Sequence, residues 1–136
     1  MQVELNGKTI TLEQIADVAI RGEHVTIAPS ARPRISTSRE LIEQIVARDA
    51  VVYGVNTGFG KLSDVRVPGN ELRQLQLNLV RSHACGIGPP LSESEVRAMM
   101  LLRANVLTLG FSGIRGEVIE LLCEMLNRRV HPVVPE

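Results

Sequence analysis

The sequence is poor in aromatic residues: its 136 residues include one Tyr, two Phe and no Trp. Any core it builds is therefore aliphatic, packed from Leu, Val, Ile, Ala and Met. Hydrophobic residues make up 44% of the chain, enough for one domain of ordinary size. Neither sign of charge is in excess, with 15 basic residues against 15 acidic ones. This balance leaves no electrostatic footprint for nucleic acid, so no nucleic-acid partner is expected. No apolar run reaches the roughly 18 residues of a membrane span, so no membrane partner is expected. The opening MQVELNGKTITLEQ lacks the basic-then-apolar order of a secretory signal. Cysteine is also scarce. Cys85 and Cys123 stand far apart, without metal-ligand spacing, and are expected to be reduced and buried. His24, His83 and His131 show no metal-ligand spacing either, so no metal site is expected. These absences together describe a soluble cytoplasmic protein.

What is present reads as mainly α, with a small β element near the N-terminus. Residues 3–10, VELNGKTI, have the form of a hairpin around Asn6-Gly7. Thr11 to Gln14 has capping-box form and opens a short helix. Residues 24–28 read as a strand, and Pro29 and Pro33 leave the next stretch irregular or at a helix start. Thr37 to Glu40 offers a second capping box, for a helix ending near Asp49. Pro68-Gly69 marks a turn, Asn70 an N-cap, and residues 71–84 an amphipathic helix. Ser92 to Glu95 is a third capping box, for a helix reaching about Leu109 and stopped by Gly110. Residues 115–128 form a further helix with Val118, Ile119, Leu122, Met125 and Leu126 inward. The final VHPVVPE is extended by its prolines, and it is apolar with no element after it to bury it. Such an ending suggests a fragment.

Residues 51–64, VVYGVNTGFGKLSD, hold three glycines and a lysine. A phosphate loop ending at Gly60-Lys61 requires glycine at 55, where Val55 stands, and a hydroxyl at 62, where Leu62 stands. The dinucleotide pattern starting at Gly58 requires a third glycine where Ser63 stands. No nucleotide cofactor is therefore expected. A surface turn is the plain alternative. Against it, the chain's single tyrosine, Tyr53, opens the segment, and a segment rich in glycine is costly to order, as mobile lids are. On the 71–84 helix, Leu72, Leu75, Leu79 and His83 share one face. His83 is then either a core histidine satisfied by one hydrogen bond or a ring presented to a ligand.

Four stretches taken in order carry a resemblance. They are Tyr53-Gly-Val-Asn-Thr-Gly-Phe-Gly60, Gln76-Leu-Asn-Leu-Val-Arg-Ser-His-Ala-Cys-Gly86, Arg103-Ala-Asn105 with Gly110-Phe-Ser-Gly-Ile-Arg115, and Asn127-Arg-Arg-Val-His-Pro-Val-Val-Pro135. From Val52 onward the chain resembles the N-terminal part of the histidine ammonia-lyases, within the aromatic amino-acid ammonia-lyase and aminomutase family. The first fifty residues fit by general pattern only.

The resemblance implies the helical ammonia-lyase fold. It implies a single N-terminal domain fragment, residues 1–136, with a flexible active-site loop at about 53–69. It also implies deamination of L-histidine to urocanate and ammonia, within histidine catabolism, by a homotetramer. The family's electrophile is a methylidene-imidazolone made from an internal Ala-Ser-Gly, a triplet this sequence does not contain. The chain is thus expected to stop short of that segment, to need the rest of the lyase chain as a partner, and to be inactive alone. Tyr53 matches the family's catalytic tyrosine. A free phenol titrates near ~10, so a phenol used as a base needs help from its surroundings. Gly54, Asn56, Thr57, Gly58, Phe59 and Gly60 match the loop that closes over substrate, with the glycines as hinges and Phe59 as a shield against water. His83 matches a position that contacts the substrate's ring, where a hydrogen-bonding group disfavours a plain phenyl. Asn56 and Ser82-His83-Ala84 resemble the histidine enzymes more than the tyrosine ones. A tyrosine ammonia-lyase or aminomutase fragment, and a non-catalytic self-associating module, stand as alternatives.

Overall fold

The structure is a computed structural model. It describes residues 2–48, 50–63 and 65–136, the side chain of Leu62 excepted. It is mainly α, as the helical periodicity requires. The chain divides into two compact units, Met1–Arg39 with Ile87–Glu136, and Glu40–Gly86.

In the first unit, β1 (Gln2–Leu5) and β2 (His24–Ile27) alternate outward and inward residues. Val3, Leu5, Val25 and Ile27 are all buried. The two strands pair in parallel, Gln2 opposite His24 and Leu5 opposite Ile27. The expected hairpin at residues 3–10 is therefore wrong, although the turn at Asn6-Gly7 is present. Lys8 donates its N–H to Asn6 Oδ1 at 2.9 Å, and Gly7 has φ +75°. The physical reason lies on a distant helix. Asn105 Oδ1 accepts the Gly7 N–H at 3.1 Å, and Asn105 Nδ2 donates to the Lys8 carbonyl at 2.9 Å. The Lys8 carbonyl and N–H, both bonded to side chains, are the groups with which a hairpin closed at Asn6-Gly7 would pair Leu5. The chain is led away instead, and β2 arrives after the longer crossover that parallel pairing needs.

That crossover holds α1 (Leu12–Ala16), which continues as one π-helical stretch, Asp17–Arg21. Thr11 and Gln14 form the expected capping box. A short 3-10 turn at Pro29–Ala31 leads into α2 (Arg32–Ala47). The helix starts five residues before Thr37, so Thr37 to Glu40 lies inside it and caps nothing. The fixed φ of proline suits a first helical turn, and Pro29 and Pro33 both sit in one. The expected end near Asp49 lies outside the described residues.

α4 (Glu93–Leu107) opens on the Ser92–Glu95 capping box, and α5 (Gly116–Asn127) follows. Val96, Met100, Leu101 and Ala104 of α4 meet Ile119, Cys123 and Leu126 of α5 and the inward residues of both strands in one core. No aromatic ring belongs to that core, as the composition requires. Asn127 extends β2 with a side chain, accepting the Val25 N–H at 2.8 Å and donating to the Val25 carbonyl at 2.9 Å. The terminal segment is extended and pairs with residues 89–91. Leu91 donates to the Val134 carbonyl at 2.8 Å and Glu136 to that of Pro89 at 3.1 Å. Val133 stays 81% exposed, so the apolar character of this segment is only partly covered.

In the second unit, α3 (Leu72–His83) is preceded by a 3-10 turn, Gly69–Glu71. The N-cap position falls on Glu71, without a side-chain cap bond, and not on Asn70. Asn70 is taken up in the 3-10 turn, so its side chain stands one residue too early to meet the helix N–H groups.

Candidate active site

Both residues singled out for chemistry, Tyr53 and His83, lie in the second unit. Tyr53 sits on a tight turn. The N–H groups of Val55 and Asn56 both point to the Val52 carbonyl, at 3.1 and 3.3 Å. Gly54 supplies φ +77°, a conformation that L side chains rarely adopt, so a glycine there is a requirement of the turn. A Cβ at that position would meet nothing within 4 Å. The constraint is therefore conformational and not steric.

Asn56 closes the base of the turn. It is 3% exposed. Its Oδ1 accepts the Val52 N–H at 2.9 Å, and its Nδ2 donates to the Ala50 carbonyl at 2.9 Å. Its own carbonyl accepts the Val67 N–H at 2.9 Å. Two more connections continue this ribbon: a bridge between Thr57 and Arg66, and a bond from the Gly58 N–H to the Val65 carbonyl at 3.0 Å. Thr57 is 1% exposed, and its hydroxyl donates to the Gly58 carbonyl at 2.9 Å. Gly60–Leu62 form a short 3-10 turn beyond the ribbon.

Tyr53 is 64% exposed. Its ring meets that of Phe59 edge-on, with centroids 6.0 Å apart and planes at 72°. Such a pair contributes about 0.5–1.5 kcal/mol. The structure thus brings Tyr53 and Phe59 together and leaves Tyr53 exposed.

His83 closes the last turn of α3 and is exposed. Its Nδ1 lies 2.9 Å from the Leu79 carbonyl oxygen and 3.0 Å from Ser82 Oγ. A carbonyl only accepts, so a proton on Nδ1 fits this contact and leaves Nε2 as a lone-pair acceptor in the neutral ring. The ring is oriented by its own helix. Leu72, Leu75 and Leu79 share its face and are half-buried.

Cys85 follows two residues later and is exposed, against the expectation that both cysteines are buried; only Cys123 is. Cys85 lies past the end of α3, where no helix face carries it inward. Burial pushes the Cys123 thiol up to about 11. Among the described residues, no group of three or more His, Cys, Asp and Glu could hold a metal ion. No helix among them is long and apolar enough to cross a membrane.

Two features escaped the sequence. Asn56 is a clamp on the backbone and not merely a member of the loop. Arg97 is 1% exposed and donates to three backbone carbonyls. Its helical spacing to Leu101 and Ala104 is the signal that could have placed it inward.

The chain belongs to the aromatic amino acid lyase family, which matches residues 10–136. Among its relatives, the histidine ammonia-lyase of Koribacter versatilis is 55% identical over 133 residues, covering 98% of this chain and 26% of that protein. The chain thus spans about a quarter of the length of the curated relatives it matches. The tyrosine aminomutase of Streptomyces globisporus superposes with a TM-score of 0.94 at 35% identity, over 99% of this chain and 26% of that one. The histidine ammonia-lyase of Trypanosoma cruzi superposes with a TM-score of 0.90 at 38% identity, over 99% and 26%.

Proposed function

We propose that these residues serve as the N-terminal portion of a histidine ammonia-lyase, a carbon–nitrogen lyase that converts L-histidine to urocanate and ammonia. The observation that carries the reading is the higher identity to histidine ammonia-lyases than to the tyrosine aminomutase of similar fold. The reading includes histidine catabolism in the cytoplasm, a homotetramer, and the rest of a lyase chain as partner. It also takes residues 1–136 as one domain fragment with an active-site loop at about 53–69.

The family's methylidene-imidazolone supplies an electrophilic carbon that helps the amine leave. These residues include no Ala-Ser-Gly, the triplet from which that group is made. Their own part is positioning and proton handling. Tyr53 offers a phenol oxygen that, once deprotonated, takes the substrate's β-proton. Phe59, edge-on against Tyr53, is the ring placed to shield that phenol from water once substrate is bound. His83 offers Nε2 to an N–H of the substrate's imidazole, while its Nδ1 is held by Leu79. Gly54, Asn56, Thr57, Gly58 and Gly60 form the frame on which the phenol is carried.

The test is a lyase carrying these residues in place of its own corresponding quarter, assayed by urocanate absorbance. The chimera turns over L-histidine, and the 136 residues alone do not. Tyr53→Phe lowers kcat by about 10²- to 10⁴-fold while histidine still binds, as expected when a proton-transfer group is lost. Unchanged turnover in Tyr53→Phe, or a preference for tyrosine over histidine, refutes the reading.

A further inference from the structure

We infer that Asn56 is a positioning residue for Tyr53. Its side-chain amide and backbone fix both polar backbone groups of the residue before the phenol and thereby set the direction in which Tyr53 leaves the chain. This inference rests on the catalytic reading of Tyr53 for its meaning, but not for its geometry.

Val52 is held at both of its polar backbone groups. Its N–H donates to Asn56 Oδ1, and its carbonyl accepts from the N–H groups of Val55 and Asn56. Most of what holds Val52 thus comes from Asn56. On the other side of Tyr53 stands Gly54, with a left-handed φ that closes the turn. Asn56 Nδ2 reaches back to the Ala50 carbonyl, so the chain entering the turn is tied at a second point. The Val67 N–H on the Asn56 carbonyl ties the chain that returns. One buried residue therefore joins the segment before Tyr53, through its side chain, to the ribbon after it, through its backbone.

The amide is the group that fits. Its acceptor faces an N–H and its donor faces a carbonyl, both at 2.9 Å. Aspartate keeps the acceptor, loses the donor, and sets a charge against the Ala50 carbonyl. Alanine loses both bonds and leaves two backbone groups with no side-chain partner. Neither change touches the phenol. The backbone under it loosens in both.

Tyr53 reports on itself. The chain has one tyrosine and no tryptophan, so its intrinsic fluorescence comes from Tyr53 alone. Time-resolved anisotropy of the 136-residue protein then reads the local motion of that ring. In Asn56→Ala the fast component gains amplitude and the residual anisotropy falls, with melting of the helical fold by circular dichroism little changed. Asn56→Asp shows the same effect and stands in if Asn56→Ala fails to fold. In the chimeric lyase, Asn56→Ala lowers kcat by about 10- to 100-fold with KM nearly constant, the signature of a misplaced reacting group. The inference is overturned by Tyr53 anisotropy equal to the parent's in either variant, or by a lowered melting temperature with unchanged ring motion. If Tyr53→Phe leaves kcat intact while Asn56→Ala loosens the ring, the catalytic reading fails and the clamp stands.

Discussion

Replacing Arg97 with methionine should destabilise the first unit by about 2–5 kcal/mol, because it strips a donor from three carbonyls and leaves two of them without another. The guanidinium donates through Nε to Ala19 at 3.1 Å, through Nη1 to Leu126 at 2.9 Å, and through Nη2 to Val18 at 2.7 Å. Val18 and Ala19 lie in the π-helical stretch and Leu126 in the last turn of α5. Helix ends leave carbonyls without intrahelical partners, and the planar fork of arginine serves several at once. Two effects oppose each other. Burial of the cation disfavours it, which is why the guanidinium pKa is pushed down, with Arg129 nearby adding to the shift. Methionine removes that penalty and fills similar volume. Leu126 keeps the Arg129 N–H at 3.2 Å, but the Val18 and Ala19 carbonyls lose their donors, and at about 1–3 kcal/mol each they outweigh the relief. With a urea slope of about 2 kcal/mol per M, the midpoint read by circular dichroism falls by about 1–2.5 M. Arg97→Lys should lie between, since an ammonium cannot present donors in a planar fork. A methionine variant within about 0.5 kcal/mol of the parent would refute the reasoning, because that is the range of inert surface changes.

The cysteines should react in sequence: one equivalent of a thiol reagent on exposed Cys85 at once, and the second on Cys123 only with unfolding. Two equivalents reacting together in the native protein would contradict the burial of Cys123. The raised Cys123 thiol also gives an alkaline limit. The proton is held more tightly in the fold, so its contribution is intact below the ordinary value of 9.0 and is lost as pH rises toward about 11. Cys123→Ala should flatten the pH dependence of urea midpoints across that window, and an unchanged slope would rule this out. At the acid end, the Ser92 hydroxyl and N–H hold the Glu95 carboxylate below its usual range. A depressed carboxylate contributes stability above its unfolded pKa and loses it as pH falls through the folded one. Ser92→Ala should therefore melt at a lower temperature near neutrality and lose less on acidification than the parent; parallel curves would refute the capping account.

The helices were legible because their signals are local. Apolar spacing and the capping boxes at Thr11 and Ser92 lie within one turn of the ends they define, and the structure keeps them. The errors arise where distant residues compete. Asn6-Gly7 makes its turn, but Asn105, about a hundred positions on, takes the Lys8 carbonyl that a hairpin needs. The Thr37 box lost to an earlier start that two prolines favour. Arg97 was invisible as a clamp because two of its carbonyls lie 78 and 79 residues away. Periodicity can place a residue inward, but it cannot name what waits there.

The Tyr53 segment differs from these cases, and the difference explains why it reads as a motif. Its hydrogen bonds close over short spans: four residues from Asn56 to Val52, six to Ala50, and a single bridge from Thr57 to Arg66. The backbone under the phenol is ordered by the segment's own bonds, while the ring contributes little burial to it, at 64% exposed. Order in the frame and freedom in the ring are therefore separable. Phe59 joins them through a ring contact, and an edge contact of this kind is weak enough for a ligand to displace. A tyrosine held this way keeps a fixed point of departure and a movable tip, which is what the proposed proton transfer by Tyr53 requires.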